Sequence, residues 1–201
     1  QQGWQTAEEM KGNTQPATTK GGELRRTTEV LALKAVDYLN ANKSRPFLLQ
    51  ISHAAVHIPL STTPELLAKY QAKKPMSGYP SNPAYAGLLE ELDRSVGRIV
   101  EAVERAGLAD KTLILFLSDN GGLEHEQSGR VVTSNKPLRG EKGTLYEGGI
   151  RVPAIARWPG HVPAASECTT PVITMDVYPT LLELAGATAS KGQPQDGVSL
   201  A

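Results

Sequence analysis

The six residues Thr112 to Leu117 (TLILFL) form an unbroken β-branched and apolar run that breaks off into Ser118-Asp119-Asn120-Gly121-Gly122. A run this short and this apolar predicts a strand buried on both faces, the kind found in parallel sheets flanked by helices. The residues before it supply such a helix. From about Ala84, Leu88, Leu92, Val96, Ile99 and Val103 recur at helical spacing, opposed by Glu90, Glu91, Arg94, Arg98 and Glu101, and Gly107 stops the element. Helix, apolar strand and polar glycine loop in that order predict an α/β layered fold, whose ligands gather where strands end at their carboxyl edge.

The rest of the chain repeats this alternation. An amphipathic helix is expected from Thr27, carried by Val30, Leu31, Leu33, Ala35, Val36 and Leu39 and ended by the Asn42 to Pro46 segment. Phe47 to Ile51 reads as a central strand buried on both faces, and Thr63 caps a short helix with Pro64 in its first turn. A short strand follows near Val152 to Ala156, then a helix from about Asp176, with Asp176 as cap, closed by Gly186. Residues 1–26 are polar and read as an irregular segment, leaving 27–201 as one folded portion.

Bulk properties exclude several functions. Lys plus Arg and Asp plus Glu each total 21, so no net field draws the chain to nucleic acid or an acidic membrane. Cys168 is the single cysteine, which rules out an internal disulfide and a multi-thiolate zinc site. No apolar run reaches bilayer-spanning length. The start at Gln1 and the stop at Ala201 are read as those of a piece of a longer protein.

Three segments carry candidate chemistry. In the first, Asp119 and Asn120 face one ion if the backbone turns between them, and Gly121 and Gly122 permit that turn. A carboxylate and an amide oxygen suit calcium or magnesium, although the tetrapeptide alone reads as an Asp-Asn-Gly turn. In the second, His53 and Ala54-Ala55-Val56-His57-Ile58-Pro59 follow the Phe47 to Ile51 run. A helical zinc pair is excluded because no glutamate follows the first histidine and Pro59 cuts any helix short. As a loop, the segment leaves His57 free to act as a proton donor or anion contact; alone, both histidines read as surface residues. In the third, Asn135 to Thr144 (NKPLRGEKGT) places Lys142 between Gly140 and Gly143. Gly143 separates Lys142 from Thr144, so this is not a phosphate-binding loop of the nucleotide type. Taken singly, Lys136, Arg139 and Lys142 read as solvated charge.

In combination, the segments PFLLQISHAAVHIP, LLEELDRSVGRIVEAVERAG, LILFLSDNGG, NKPLRGEKGTLYEGGIRVPAIARWPG, DVYPTLLELAG and DGVSL, in that order, resemble the formylglycine-dependent sulfatases of the alkaline-phosphatase-like superfamily. The resemblance runs from about Pro46 to the end and implies an incomplete alkaline-phosphatase-like α/β fold, with a mainly parallel sheet and flanking helices. It implies sulfate ester hydrolysis on a sulfated small molecule or sulfated glycan. It further implies that Asp119 and Asn120 are two ligands of a divalent cation, calcium in that family as a rule, that Lys142 contacts the sulfate group, and that His57 protonates the leaving group. His53 and Arg139 are implied as neighbouring substrate contacts, and Glu147 and Arg151 as residues that fix their loop.

The family's nucleophile lies in a Cys/Ser-x-Pro-x-Arg segment that this sequence does not contain; Cys168-Thr169-Thr170-Pro171 puts proline one place late and lacks the arginine. Asp119 and Asn120 alone fall short of the six to eight oxygens calcium prefers, so weak metal binding and no hydrolysis are expected of these residues by themselves. A phosphodiesterase or phosphonate hydrolase of the same superfamily and a non-catalytic module binding sulfated glycans are the competing readings. The resemblance suggests a periplasmic, secreted or lysosomal setting.

Overall fold

The computed structural model describes residues 16–18, 24–127 and 129–201, which divide into two units, residues 1–160 and 161–201. In the first unit, β1 (Pro16–Thr18) and β2 (Leu24–Arg26) pair antiparallel, with Pro16 opposite Arg26. Of the segment 1–26 expected to be irregular, 1–15 and 19–23 lie outside the described residues, and these two short strands are where the rest departs from that expectation.

Three helices make the core. α1 (Thr27–Asn42) buries Ala32, Ala35 and Leu39 along one stripe and Val30 on the opposite side. α2 (Pro64–Gln71) begins as expected, with the Thr63 hydroxyl accepting the Leu66 N–H at 3.2 Å and Pro64 in the first turn, where its missing N–H has no helical partner to lose. It contributes Leu66 to the core. α3 (Pro83–Arg105) is capped by the Asn82 side chain, which accepts from the Tyr85 N–H at 3.2 Å, and it buries Leu88, Leu92 and Val103. Each buried leucine is worth roughly 2 kcal/mol relative to exposure, which is what fixes α1 and α2 against α3. Gly107 ends α3 with φ +68°, donating to Glu104 O while Leu108 donates to Val103 O, the paired closure that a left-handed residue allows.

One face of α3 departs from the sequence pattern. Glu91, expected among the solvated charges, is 9% exposed, and Ser95 one turn further on is 2% exposed. Both face α1 and the segment before α2, where polar partners take the place of apolar ones.

The sheet also differs from expectation. β3 (Ile114–Leu117) pairs with β6 (Ala154–Arg157) antiparallel, Leu115 opposite Ala156 and Leu117 opposite Ala154. Between them lie the hairpin β4 (Glu126–Gln127) and β5 (Arg130–Val131) and the one-turn helix α4 (Glu147–Ile150). Every strand pair among the described residues is antiparallel, so the mainly parallel sheet is not formed by them. Nor is Phe47 to Ile51 a laddered strand. It is extended with alternating exposure, Leu48 being 54% exposed, and Phe47 meets the Tyr38 ring edge-on at 6.2 Å. In β3, likewise, Leu115 and Leu117 are exposed, and across from them so are Ala154 and Ala156. For Phe47 to Ile51 and β3 the reason is shared, since side chains alternate between the two faces of a strand and these residues have protein against one face only, whereas β6 is exposed at Ile155 as well. Arg157, which pairs with Glu104 of α3 at 2.7 Å, lies on the covered side.

The second unit is built on a 3-10 turn, Thr174–Asp176, leading into α5 (Val177–Leu184). Asp176 stands at the expected N-cap position of α5, but its side chain makes no cap hydrogen bond to that helix. Its carboxylate accepts instead from the N–H groups of Ile173 (2.8 Å) and Val198 (2.9 Å), which hold its acid constant below the ordinary 3.8 and pin the DGVSL segment. Among the described residues no helix is long and apolar enough to cross a membrane.

Candidate active site

At the end of β3 the chain turns through Asp119 to Gly122, and the Ser118 hydroxyl donates to Asn120 O at 2.9 Å across that turn. The long insert then folds back onto the same four residues. Gly121 N–H donates to Gly149 O at 2.9 Å, Lys142 N–H to Gly122 O at 3.1 Å, and Gly148 N–H to Arg139 O at 2.7 Å. Asn135 bridges the two loops with one amide, accepting from Gly122 N–H at 2.8 Å and donating to Gly122 O at 2.8 Å and Gly140 O at 3.2 Å. Backbones approach this closely only without side chains: a Cβ on Gly121 would overlap the carbonyl of Gly148, and one on Gly148 would overlap the carbonyl of Gly140.

The junction therefore carries Lys142 to the loop holding Asp119 and Asn120, residues separated by more than twenty positions of chain. Asp119 is exposed, and Asn120 and Lys142 are half-buried. The carboxylate, amide and ammonium take no hydrogen bond or ion pair among the described residues, so all three heads are open to a ligand. The supporting polar groups, by contrast, are used internally. Glu141 accepts from Glu124 N–H at 2.5 Å and meets His125 Nδ1 at 3.0 Å, and Glu124 accepts from Asn135 N–H at 2.7 Å. Arg139 lies over the Tyr146 ring, 3.9 Å from its centroid. Arg151 pairs with Glu147 at 3.3 Å within the α4 loop.

The histidine segment is a loop, as expected, and it rests on α3. His57 is exposed, and its Nδ1 lies 2.5 Å from Ile58 O. A carbonyl only accepts, so Nδ1 carries the proton in this contact. His53 is different. Its ring is half-buried, Nε2 lies 3.5 Å from Ser95 Oγ, and Nδ1 is buried without a hydrogen-bond partner among the described residues. Burial lowers its acid constant from 6.5, favouring the neutral ring. A histidine turned against α3 is poorly disposed to the substrate contact the resemblance implied for it. The loop joins the β4–β5 hairpin through Leu60 N–H, which donates to the Gln127 side chain at 3.1 Å, and the hairpin joins α3 through Asn82, whose amide donates to Val131 O at 3.2 Å.

Three comparisons with known proteins bear on this arrangement. The sulfatase family model matches residues 2–187. The chain belongs to the sulfatase family. Among its relatives, a sulfatase of Formosa agariphila is 37% identical across 96% of this chain and 36% of its own length, and the steryl-sulfatase of Rattus norvegicus is 36% identical across 92% and 30%. The crystal structure of Ps i-CgsB in complex with k-i-k-neocarrahexaose superposes with a TM-score of 0.79 at 37% identity, covering 89% of this chain and 38% of that one. The sulfatase-family chain thus has the alkaline-phosphatase-like fold in part, and spans about a third of the length of the curated relatives it matches.

Sequence reasoning missed two residues that organise this sulfatase-family site. Asn135 was quoted merely as the start of its segment, although an amide beside a glycine loop is suited to bridging backbone groups. Glu91 was placed on the solvated face, and the signal that could have moved it was the run of hydroxyls and Arg26 elsewhere in the chain, which a helical wheel does not register.

Proposed function

We propose that this chain supplies the cation-binding and sulfate-facing part of a sulfuric ester hydrolase, acting in the whole protein on a sulfate ester of a small molecule or glycan. The observation that supports the reading is the backbone junction of the Asp119–Gly122 turn with the Glu141–Thr144 turn, where Lys142 N–H donates to Gly122 O at 3.1 Å, two residues after Asn120. Asp119 and Asn120 would give oxygen ligands to a hard divalent cation, calcium by preference. The donors fit in kind, while two fall short of a full shell in number. Such a cation would draw charge from the sulfuryl oxygens. Lys142 would hold a sulfate oxygen through its ammonium, and His57, protonated at Nε2, would deliver a proton to the departing alkoxide. Arg139, stacked on Tyr146, would add positive potential at the rim. The sulfatase identity of the relatives favours a sulfuryl over a phosphoryl substrate, and the oligosaccharide in the Ps i-CgsB complex favours a glycan carrier.

The test is a titration of the purified chain, first with calcium chloride and then with sodium sulfate, followed by amide resonances. Weak binding, in the millimolar range or above (~1 mM), is expected from so few ligands, with shifts gathered at residues 119–122 and 141–144. Asp119→Ala should abolish the calcium response and Lys142→Ala the sulfate response. Shifts scattered over the surface, or turnover of an aryl sulfate by this chain at the rate of a full-length sulfatase, would overturn the reading.

A further inference from the structure

Between His53 and Thr63 the chain makes an arc whose two ends are held by one face of α3. Glu91 and Ser95 are one turn apart, about 6 Å along the axis, and so point the same way. At the far end of the arc, Glu91 Oε1 accepts from the Thr62 hydroxyl at 2.8 Å and from Thr63 N–H at 3.3 Å. Glu91 Oε2 takes the Arg26 guanidinium, which also donates to Ser61 O and, at 3.4 Å, to Ser61 Oγ. At the near end, Ser95 Oγ donates to Thr28 O at 3.1 Å and lies 3.5 Å from His53 Nε2. Gly87, one turn before Glu91, leaves room for the Thr62 side chain, which a Cβ there would overlap.

We infer that Glu91 is a positioning residue for His57: it anchors the closing end of the 53–63 arc and, with Ser95 at the opening end, sets where the His57 ring stands. The inference rests on the proposed role of His57 as proton donor. A buried carboxylate is costly unless its oxygens are filled, and here both are, by groups that belong to the arc or brace it. An arc of about ten residues with ends held close has few ways to move its middle. His57 lies within that arc, four residues after His53 and six before Thr63.

Hydrogen exchange and histidine ring resonances of the purified chain test this, using Glu91→Gln and Thr62→Val. The first keeps the shape but turns an amide donor toward either Arg26 or the Thr62–Thr63 pair; the second removes one anchor hydroxyl and leaves the Arg26 pair intact. Exchange at residues 60–63 should rise about tenfold or more in Glu91→Gln and less in Thr62→Val. The His57 ring signals should broaden or split, while amides of Leu39, Leu88 and Val103 keep their protection. An unchanged arc in both variants, or an equal rise in the core, overturns the inference. Sulfate addition separates the two readings. If sulfate fails to move the His57 ring in the parent chain while the variants still loosen the arc, the anchoring stands and the proton-donor role falls. If Glu91→Gln responds to sulfate as the parent does, the positioning role falls.

Discussion

The two halves of the candidate site are held in opposite ways. The junction of the Asp119–Gly122 and Glu141–Thr144 turns is made of backbone against backbone, with glycine hydrogens at the contact and one neutral amide, Asn135, as the bridge. The arc bearing His57 is held through side chains, with the carboxylate of Glu91 at its closing end taking the Thr62 hydroxyl, the Thr63 N–H and Arg26. Backbone contact leaves almost no tolerance, because a carbonyl has no rotamer to yield; a side-chain network can shift a torsion and re-form. On the proposed roles, a lysine and a carboxylate meeting one anion and one cation would gain from the rigid arrangement, and a proton donor would gain from the adjustable one.

The sharpest way to break this contrast is at Gly121. Gly121→Ala drives a methyl into the Gly148 carbonyl, and a loss of about 3 kcal/mol or more is expected, read as a lowered urea midpoint. The shifts at 119–122 and 141–144 on adding calcium and sulfate should vanish with it. A loss below about 1 kcal/mol would mean the junction yields, and the contrast with the arc would be gone. Next comes Glu91→Ala, which takes the carboxylate from Arg26 and frees two donors of the arc. Arg26 retains 24% of its side-chain exposure and can turn to water, so about 2 kcal/mol is expected, at the low end for a broken buried pair. Calcium shifts at Asp119 should survive this change; their loss would show that the two halves are one unit.

How far the sequence foretold this depends on whether a residue's neighbours are local. α2 and α3 begin where their caps place them, because Thr63 and Asn82 act on amides three residues away. The glycines around Lys142 and after Asn120 announced loops of close approach, and the loops do approach. Asp176 misled because a side chain before a helix can reach forward to cap it or backward and across to Ile173 and Val198, and composition does not choose between them. TLILFL and FLLQI read as strands covered on both sides, since apolar character reports what a face is suited to and not what lies against it; here Leu48, Leu115 and Leu117 stay exposed. Glu91 was illegible for a related reason: its partners Arg26, Thr62 and Thr63 are far off in sequence.

A smaller effect sharpens the contrast from the rigid side. Asn135→Ala removes the bridge without adding a clash, and about 1.5 kcal/mol is expected from the lost bonds to Gly122 and Gly140. Asn135→Asp should be worse than alanine at neutral pH, because a carboxylate would face the carbonyls of Gly122 and Gly140, which offer no proton. If aspartate proves milder in urea denaturation, the amide is not oriented as described and the junction is held by glycine contact alone.

The smallest effect compares Glu91 with its neighbour Glu90, which ties α3 to α2 from the solvent side. Lys69, Tyr70 and Arg94 donate to its carboxylate at 2.7, 2.8 and 2.6 Å, and these hydrogen bonds, that of Lys69 foremost, hold its acid constant at about 2 against an ordinary 4.5. A depressed carboxyl favours the folded state above its unfolded value, so this contribution is whole above about pH 4.5 and fades as pH falls toward about 2. Lys69 and Arg94 are 47% and 57% exposed, so salt screens the pair and the net gain is slight. Urea midpoints of Glu90→Gln and the parent chain should therefore differ a little at neutral pH and low salt, and converge at high salt or as the carboxyl is protonated. Glu91→Gln should keep its deficit at high salt, because the buried side of α3 is closed to counterions. If salt erases both differences alike, the charge behind the His57 arc is not buried, and the distinction between the two neighbouring glutamates fails.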